Sequence, residues 1–461
     1  MQEKKKIGID LTQGSVAKVL PRFMLPFLLA SVLQTLYSTV DMIVVGQYVG
    51  SIGTVAVSMG SKIANLFTMF SMAFSTAGQI YVGQQTGADS RDDVNKTIGT
   101  LTTMLLAISV TAAVLVGVGN HFLLVIMNTP EEAMTEAYSY LLIICFGFPF
   151  IYGYNAACAV LRGMGDSKSP LLFVAISSIT NLVLDIILVV AFGMASAGAA
   201  IATVISQLAA CVFAVIYLYK RRDIVGFDFK LTTFKINKEH ASVLLKIGIP
   251  LSARQMLIGV TQLFVTSFAN DFGLYAAAAY GVSERLYNLV NTVDSAFNQA
   301  AAGMIAQNIG ARKHDRVRQI VRTQLLMAGS IAVICGIVLN LFPTQFFALF
   351  NNEAEVLVYA PAMCIVLGIS LILAVVSGTF QGVVNGAGRG GLALVGGILD
   401  SVVFRFGFCY LFAYMLDLGV VGFSMGTNFA RVAPATVGLV YYLSGKWKTD
   451  SLVKEKDTAG K

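Results

Sequence analysis

Long apolar stretches separated by short polar segments run the whole length of the chain. They lie near residues 16–45, 55–80, 95–119, 136–160, 168–191, 195–219, 241–269, 276–303, 318–342, 357–383, 391–414 and 419–444. Each holds about 20 residues or more. At about 1.5 Å per helical residue this is enough to cross a hydrocarbon core of about 30 Å. The pattern predicts an all-α polytopic membrane protein with twelve transmembrane helices. Composition sharpens the picture: 56% of the 461 residues are hydrophobic and 12% are charged, against about 25% charged in soluble domains.

The basic residues are distributed unevenly between the loops. One set of alternate loops holds Arg91 and Lys96, then Arg162 and Lys168, then Lys220, Arg221, Arg222, Lys230, Lys235 and Lys238. Further along come Arg312, Lys313, Arg316 and Arg318, and then Arg389. Both tails are basic, with Lys4, Lys5 and Lys6 at one end and Lys446, Lys448, Lys454, Lys456 and Lys461 at the other. The intervening loops carry no Lys or Arg, and two of them, NTPEEAMTE and NNEAE, are acidic. Basic loops stay on the cytoplasmic side, so both termini are expected there. The net charge of +7 is therefore topological. Spread over short loops, it indicates no nucleic-acid partner. The opening MQEKKK is read as a cytoplasmic tail before a retained first helix, since the apolar stretch after it is too long for a cleavable signal.

The chain also repeats itself. FSTAGQIYVGQQTGADSRDDV (74–94) aligns with FNQAAAGMIAQNIGARKHDRV (297–317), placing Gly87 against Gly310 at 310 − 87 = 223 residues. The same spacing pairs Asn65 with Asn288 and Gly165 with Gly388, while Pro26 and Pro250 are 224 apart. Six spans per half is an even number, so both halves enter the membrane in the same direction and form a parallel repeat. The expected layout is a tail over 1–15, an N-terminal lobe over 16–219, a linker over 220–240, a C-terminal lobe over 241–444 and a tail over 445–461. Two facing six-helix bundles of this kind serve alternating access in transporters.

Several motifs exclude other chemistries. The six cysteines lie inside apolar segments and the three histidines are far apart in sequence, so no disulfide framework or zinc cluster is indicated. GAGRGG (386–391) fits a dinucleotide-binding pattern, but no strand precedes it, and a tight turn between two spans accounts for its glycines. No paired catalytic carboxylates and no Ser/His/Asp or Cys/His set can be assembled at one membrane depth. The chain is not expected to be an enzyme, and no cofactor is implied.

Ionisable residues inside spans mark functional sites. Asp41 lies near the end of the first span, and Gln34 and Tyr37 share its helix stripe. Asn181 and Asp185 are four residues apart on one face of the fifth span, and Thr203 lies on the sixth. Counted from the outer helix ends, Asp41, Asp185 and Thr203 all fall within roughly 6–12 Å, so they can occupy one layer. Two carboxylates, an amide and a hydroxyl suit either oxygen ligation of Na⁺ or a shared proton. A purely structural role, with the acids pairing to neighbours such as Lys62, is the alternative. Pro26 and Pro21 can bend the helix that carries Asp41. The C-terminal half holds Arg254, Glu284, Arg285, Asp294, Asp400, Arg405 and Arg431, as either mutually compensating pairs or a positive patch favouring anions. The repeat counterpart of Asp41 is Val265, so the acid cluster was not duplicated.

At these residues the chain resembles the multidrug and toxic compound extrusion (MATE) family over roughly 12–445, most closely its DinF/MepA-type branch. The resemblance rests on LTQGSVAKVLPRFMLPFLLASVLQTLYSTVDMIVVGQYVG, QQTGA, LRGMGDSKSP and NLVLDIIL. It implies two six-helix lobes in a V. It also implies a proton or Na⁺ site at Asp41, Asn181, Asp185 and Thr203, a substrate-facing cavity at Gln34, Tyr37, Tyr140 and Asn155, and a bending proline at Pro26. The seventh span, RQMLIGVTQLF, has no acid, unlike branches that bind Na⁺ in the second lobe, which argues against an ion site in that lobe here.

The function expected is secondary active efflux of amphipathic, cationic organic compounds in exchange for H⁺ or Na⁺. The protein would act as a multi-pass monomer in a bacterial-type inner membrane, with small organic molecules and the bilayer as its partners. A flippase for a lipid-linked or anionic amphiphile is the alternative, favoured by the intramembrane arginines. A non-transporting receptor or scaffold is a minor alternative.

Overall fold

A computed structural model describes residues 7–453. Lys4, Lys5, Lys6, Lys454, Lys456 and Lys461, which entered the charge argument above, lie outside the described residues. Within them the chain is helical and contains no strand.

The first six helices are α1 (Val16–Tyr48), α2 (Gly50–Gly87), α3 (Arg91–Ile126), α4 (Glu131–Gly163), α5 (Lys168–Asp185) and α6 (Ala195–Lys220). The second six are α7 (Lys238–Asn270), α8 (Leu274–Gly310), α9 (His314–Leu341), α10 (Ala360–Gly386), α11 (Gly390–Ile398) and α12 (Gly419–Phe429, resuming as Val432–Ser444). They coincide with the twelve expected spans and run past several of their ends. The 38 residues of α2 extend about 57 Å, because its polar ends go on hydrogen-bonding along the helix in water. Among the described residues, nine helices are long and apolar enough to cross a membrane. The exceptions are α2 and α8, diluted by polar residues, and α12, broken at Arg431.

Two helices continue as wider turns. After α5, Ile186–Ala191 is a π segment, and Ile187 O accepts from Phe192 N five residues on, at 3.0 Å. After α11 a π segment spans Leu399–Phe404 and another spans Tyr410–Met415, the last closing with a Leu411 to Leu416 bond. Ile186–Ala191 and Tyr410–Met415 are 224 residues apart. Left-handed residues repeat likewise: Asp89 (φ 53°) with Arg312 (56°), Gly165 (90°) with Gly388 (76°), and Ala195 (48°) with Gly419 (54°). The duplication therefore governs turns as well as sequence. GAGRGG falls at one of these turns, between α10 and α11.

The helices form two compact units. In the first, α4 is central and packs on α2, α3 and α6, while α5 packs on α6. In the second, α10 takes the same place, packing on α8, α9 and the second segment of α12. The end of α11 approaches the start of α12 closely because Gly426 has no side chain: a Cβ there would sit 2.4 Å from the Cys409 backbone nitrogen.

The units depart from the expected lobe boundaries at two places. Leu11–Met24 groups with the second unit rather than with 16–219. Three charge-assisted bonds hold it, from Arg316 Nε to Leu11 O (3.2 Å), Nη1 to Gly14 O (2.6 Å) and Nη2 to Gln13 O (2.6 Å). Asn308 Nδ2 adds another to Leu11 O. Conversely, the first unit extends to Gly248, taking in the expected linker 220–240 and the start of α7. The linker docks through a ring cluster of Phe227, Phe229 and Phe234, and Thr103 Oγ1 donates to Phe234 O at 2.6 Å. His240 Nδ1 lies 2.9 Å from both the Tyr81 and Thr97 hydroxyls. Buried polar contacts of this kind fix which unit a helix end joins, and apolar periodicity carries no record of them.

Candidate functional site

The first unit gathers an acidic cluster from five helices. On α1, Tyr37 and Asp41 are one turn apart. On α5, Asn181 and Asp185 are also one turn apart, both 1% exposed. With its amide oriented to satisfy both ends, Asn181 donates to Asp185 Oδ2 at 2.8 Å and accepts from Thr203 N on α6 at 3.3 Å. Tyr37 reaches Thr203 and lies in the field of both acids. Tyr140 on α4 is buried and its hydroxyl is 2.9 Å from that of Ser61 on α2. Asp41 and Asp185 are close enough to share a hydrogen bond.

That last contact defines the chemistry. A carboxylate can only accept, so a bond between two carboxyls needs a proton, and without one their charges repel unless a cation intervenes. Oδ1 of Asp41 and Oδ1 of Asp185 are buried and have no hydrogen-bond partner. No ion pair joins Lys62 or any other base to either acid among the described residues. Oriented oxygens around two uncompensated acids have the chemistry to accept one proton or one small hard cation. The π segment starts at Ile186, immediately after Asp185, and such widenings recur at functional sites.

The residues expected to line a substrate cavity separate. Tyr37 and Tyr140 sit with the acids. Gln34 is exposed and makes no described contact with them. Asn155 lies four turns along α4 from Tyr140, where its Nδ2 donates to Ser71 Oγ at 3.1 Å. Pro26 is buried in α1, beside Phe27, whose ring faces the Arg162 guanidinium at 5.1 Å.

In the second unit the charges of the C-terminal half form pairs. Arg405 Nη2 reaches both Asp400 oxygens, at 3.2 and 3.4 Å, and Nη1 lies 3.5 Å from Gln262 Oε1. Arg254 acts on Asp400 as well. Glu284 interacts with Arg431, Arg405 and Tyr280, and Arg431 stacks over the Tyr287 ring at 4.3 Å. Two expected members are not part of this network. Arg285 is exposed and in no ion pair among the described residues. Asp294 meets no base; its Oδ2 accepts from Asn298 Nδ2 at 3.0 Å.

At the 224-residue spacing, Asp41 corresponds to Val265, Asn181 to Arg405, Asp185 to Cys409 and Thr203 to Thr427. The duplicated position lacks both acids and carries a guanidinium in place of the amide. Ser61, whose hydroxyl meets that of Tyr140, was not singled out in the sequence. Its signal was a polar side chain within a span, too common there to be noticed.

A family model described as MatE matches residues 26–187 and again 250–411, the two copies of the repeat. The probable multidrug resistance protein YoeA of Bacillus subtilis (strain 168) is 31% identical over 354 residues, 76% of each chain. The multidrug export protein MepA of Staphylococcus aureus (strain MSSA476) is 25% identical over 399 residues, covering 85% of this chain and 86% of its own. Among solved structures, a MATE protein in a bent conformation superposes with a TM-score of 0.89 over 98% of this chain and 100% of its own, at 22% identity. A Pyrococcus furiosus transporter of the MOP superfamily, described as having a binding pocket of reversed polarity, gives 0.87 at 23% identity over 98% and 100%. With both copies of its repeat matched by the family model and a relative 31% identical over 76% of each chain, the chain belongs to the MATE family of multi-pass membrane transporters.

Proposed function

We propose that this transporter exports amphipathic, cationic organic molecules across a bacterial inner membrane in exchange for H⁺ or Na⁺. In this reading it works as a single chain with both ends on the inner face. One observation carries the reading: the Asp41–Asp185 pair, half-buried and buried respectively, with two unpartnered oxygens and no base beside it. Such a pair has a different ion affinity in each conformation that changes its hydration, and an ion shifts a conformational equilibrium only through differential affinity. The names of the relatives from Bacillus subtilis and Staphylococcus aureus support the substrate class.

The test is efflux of a fluorescent organic cation from proteoliposomes under an imposed pH gradient or Na⁺ gradient, one at a time. Asp41→Asn keeps the shape and removes the exchangeable charge. It should abolish gradient-driven efflux while leaving the protein folded, and Asp41→Asn/Asp185→Asn should be little worse than either single variant, because both serve one site. Wild-type efflux from Asp41→Asn would refute the assignment.

A second reading is export of an anionic amphiphile. Buried Arg405 and half-buried Arg254 and Arg431 face two acids, Glu284 and Asp400, and the Nε atoms of Arg254 and Arg405 have no hydrogen-bond partner. A fluorescent organic anion in the same assay separates the two readings.

A further inference from the structure

Asp294 on α8 is a carboxylate within the apolar span of the second unit, and it stands apart from the arginine network. It is 9% exposed. Its Oδ2 accepts from Asn298 Nδ2 at 3.0 Å, and Asn298 Oδ1 accepts in turn from Gln324 Nε2 on α9 at 2.5 Å. Two acceptors remain over: Asp294 Oδ1 and Gln324 Oε1 are both buried and without a hydrogen-bond partner. Asp294 also borders a small, partly open and mostly apolar pocket walled by Asn291, Phe297, Ile331, Leu371 and Val375, with room for about one water-sized guest. Apart from burial, the one influence on it is Asn298, and no charged side chain of α8, α9 or α10 acts on it among the described residues.

The first repeat shows what this place looks like without an acid. At the 223-residue spacing that relates Asp89 to Arg312 and Gly165 to Gly388, Asp294 corresponds to Ser71, Asn298 to Ser75, Gln324 to Leu101 and Gly378 to Asn155. In the first unit, Asn155 bridges directly to Ser71 and the position is closed by a neutral pair. In the second, the bridging side chain is a glycine. A Cβ at Gly378 would lie 2.0 Å from Asn298 Nδ2, so its absence lets Asn298 turn to Asp294. The repeat has therefore exchanged a self-satisfied neutral pair for a carboxylate, two amides and an open space.

Leftover donors would call for an anion, whereas leftover acceptors beside a fixed negative charge call for a cation. An intramembrane carboxylate without a base needs a proton or a positive ion to persist there. We propose that Asp294, with Gln324 and Asn298, forms a second cation site of this protein, separate from the Asp41–Asp185 pair, taking one proton or one alkali ion such as Na⁺. The proposal is independent of what the protein exports.

The test uses intact purified protein in detergent. Dicyclohexylcarbodiimide modifies protonated carboxyls in apolar surroundings, and peptide mass spectrometry reads the adduct at Asp294 across a pH series, with NaCl or choline chloride at equal ionic strength. Adduct that rises several-fold as pH falls and is unaffected by NaCl identifies a proton site. Adduct suppressed several-fold by NaCl at fixed pH identifies a Na⁺ site. Either supports the proposal, and an absent adduct, or one indifferent to both pH and Na⁺, overturns it. Variants give a second measurement, in an Asp41→Asn/Asp185→Asn background that removes the first site. There the shift of thermal stability with pH or Na⁺ should persist in part, and the part due to this site should be lost on adding Asp294→Asn or Gly378→Asn, which restores the first-repeat residue. An unchanged shift in both would likewise overturn it.

Discussion

Replacing Arg405 by methionine removes a guanidinium and keeps most of the side chain's length. In the structure Arg405 and Asp400 are 6% and 7% exposed and bonded at 3.2 and 3.4 Å. Taking one partner from a buried pair strands the other, at a cost of about 3–5 kcal/mol. Here the cost should fall at the low end, about 3 kcal/mol, because Arg254 still acts on Asp400. Arg405→Met/Asp400→Leu should return to within about 1 kcal/mol of the parent, since a well-packed apolar pair replaces a buried ionic one at little or no loss. The double-mutant cycle, completed by Asp400→Leu, then yields a coupling of at least about 2 kcal/mol, because that single variant strands Arg405 in turn. Equilibrium unfolding in mixed micelles against mole fraction of SDS, followed by helical circular dichroism, measures each term. If Arg405→Met unfolds within about 1 kcal/mol of the parent, or the double variant is no more stable than the single, the charges of this half are not held as mutually dependent pairs.

The remaining predictions concern orientation and pH. A cysteine at Asn352 should react with an impermeant thiol reagent added outside intact cells, and one at Lys235 should not; the reverse labelling would invert the membrane orientation. Near the C-terminal end, partial burial opposes the charge of Asp450, but bonds from Arg389 and Tyr441 hold its carboxyl below the usual carboxylate range. A depressed folded-state value means this contribution to stability is present above the unfolded value of about 4 and lost as pH falls below it. Between about pH 5 and 3 the parent should therefore lose more thermal stability than Asp450→Asn, and parallel losses would contradict the ion pair.

What the sequence alone determined are properties of short stretches and of their recurrence. Apolar length located all twelve helices, because crossing a hydrocarbon core is a requirement on consecutive residues. A constant spacing disclosed the duplication. Helix pitch put Tyr37 and Asp41 on one stripe and Asn181 and Asp185 on another, and depth counting placed Asp41, Asp185 and Thr203 in one layer. Tertiary structure decided matters that depend on how each helix is rotated and what it packs against. It sent Asn155 to Ser71 and kept Tyr140 with the acids, although both lie on α4. It gave Leu11–Met24 to the second unit through Arg316, and the start of α7 to the first through His240. It also separated Asp294 from Asp400, two acids that look alike in sequence. Arg405 lies five residues from Asp400, on the same helical segment, and pairs with it. The neighbour of Asp294 is Asn298, which accepts in turn from Gln324 on α9, 26 residues further along, a contact that no local pattern encodes.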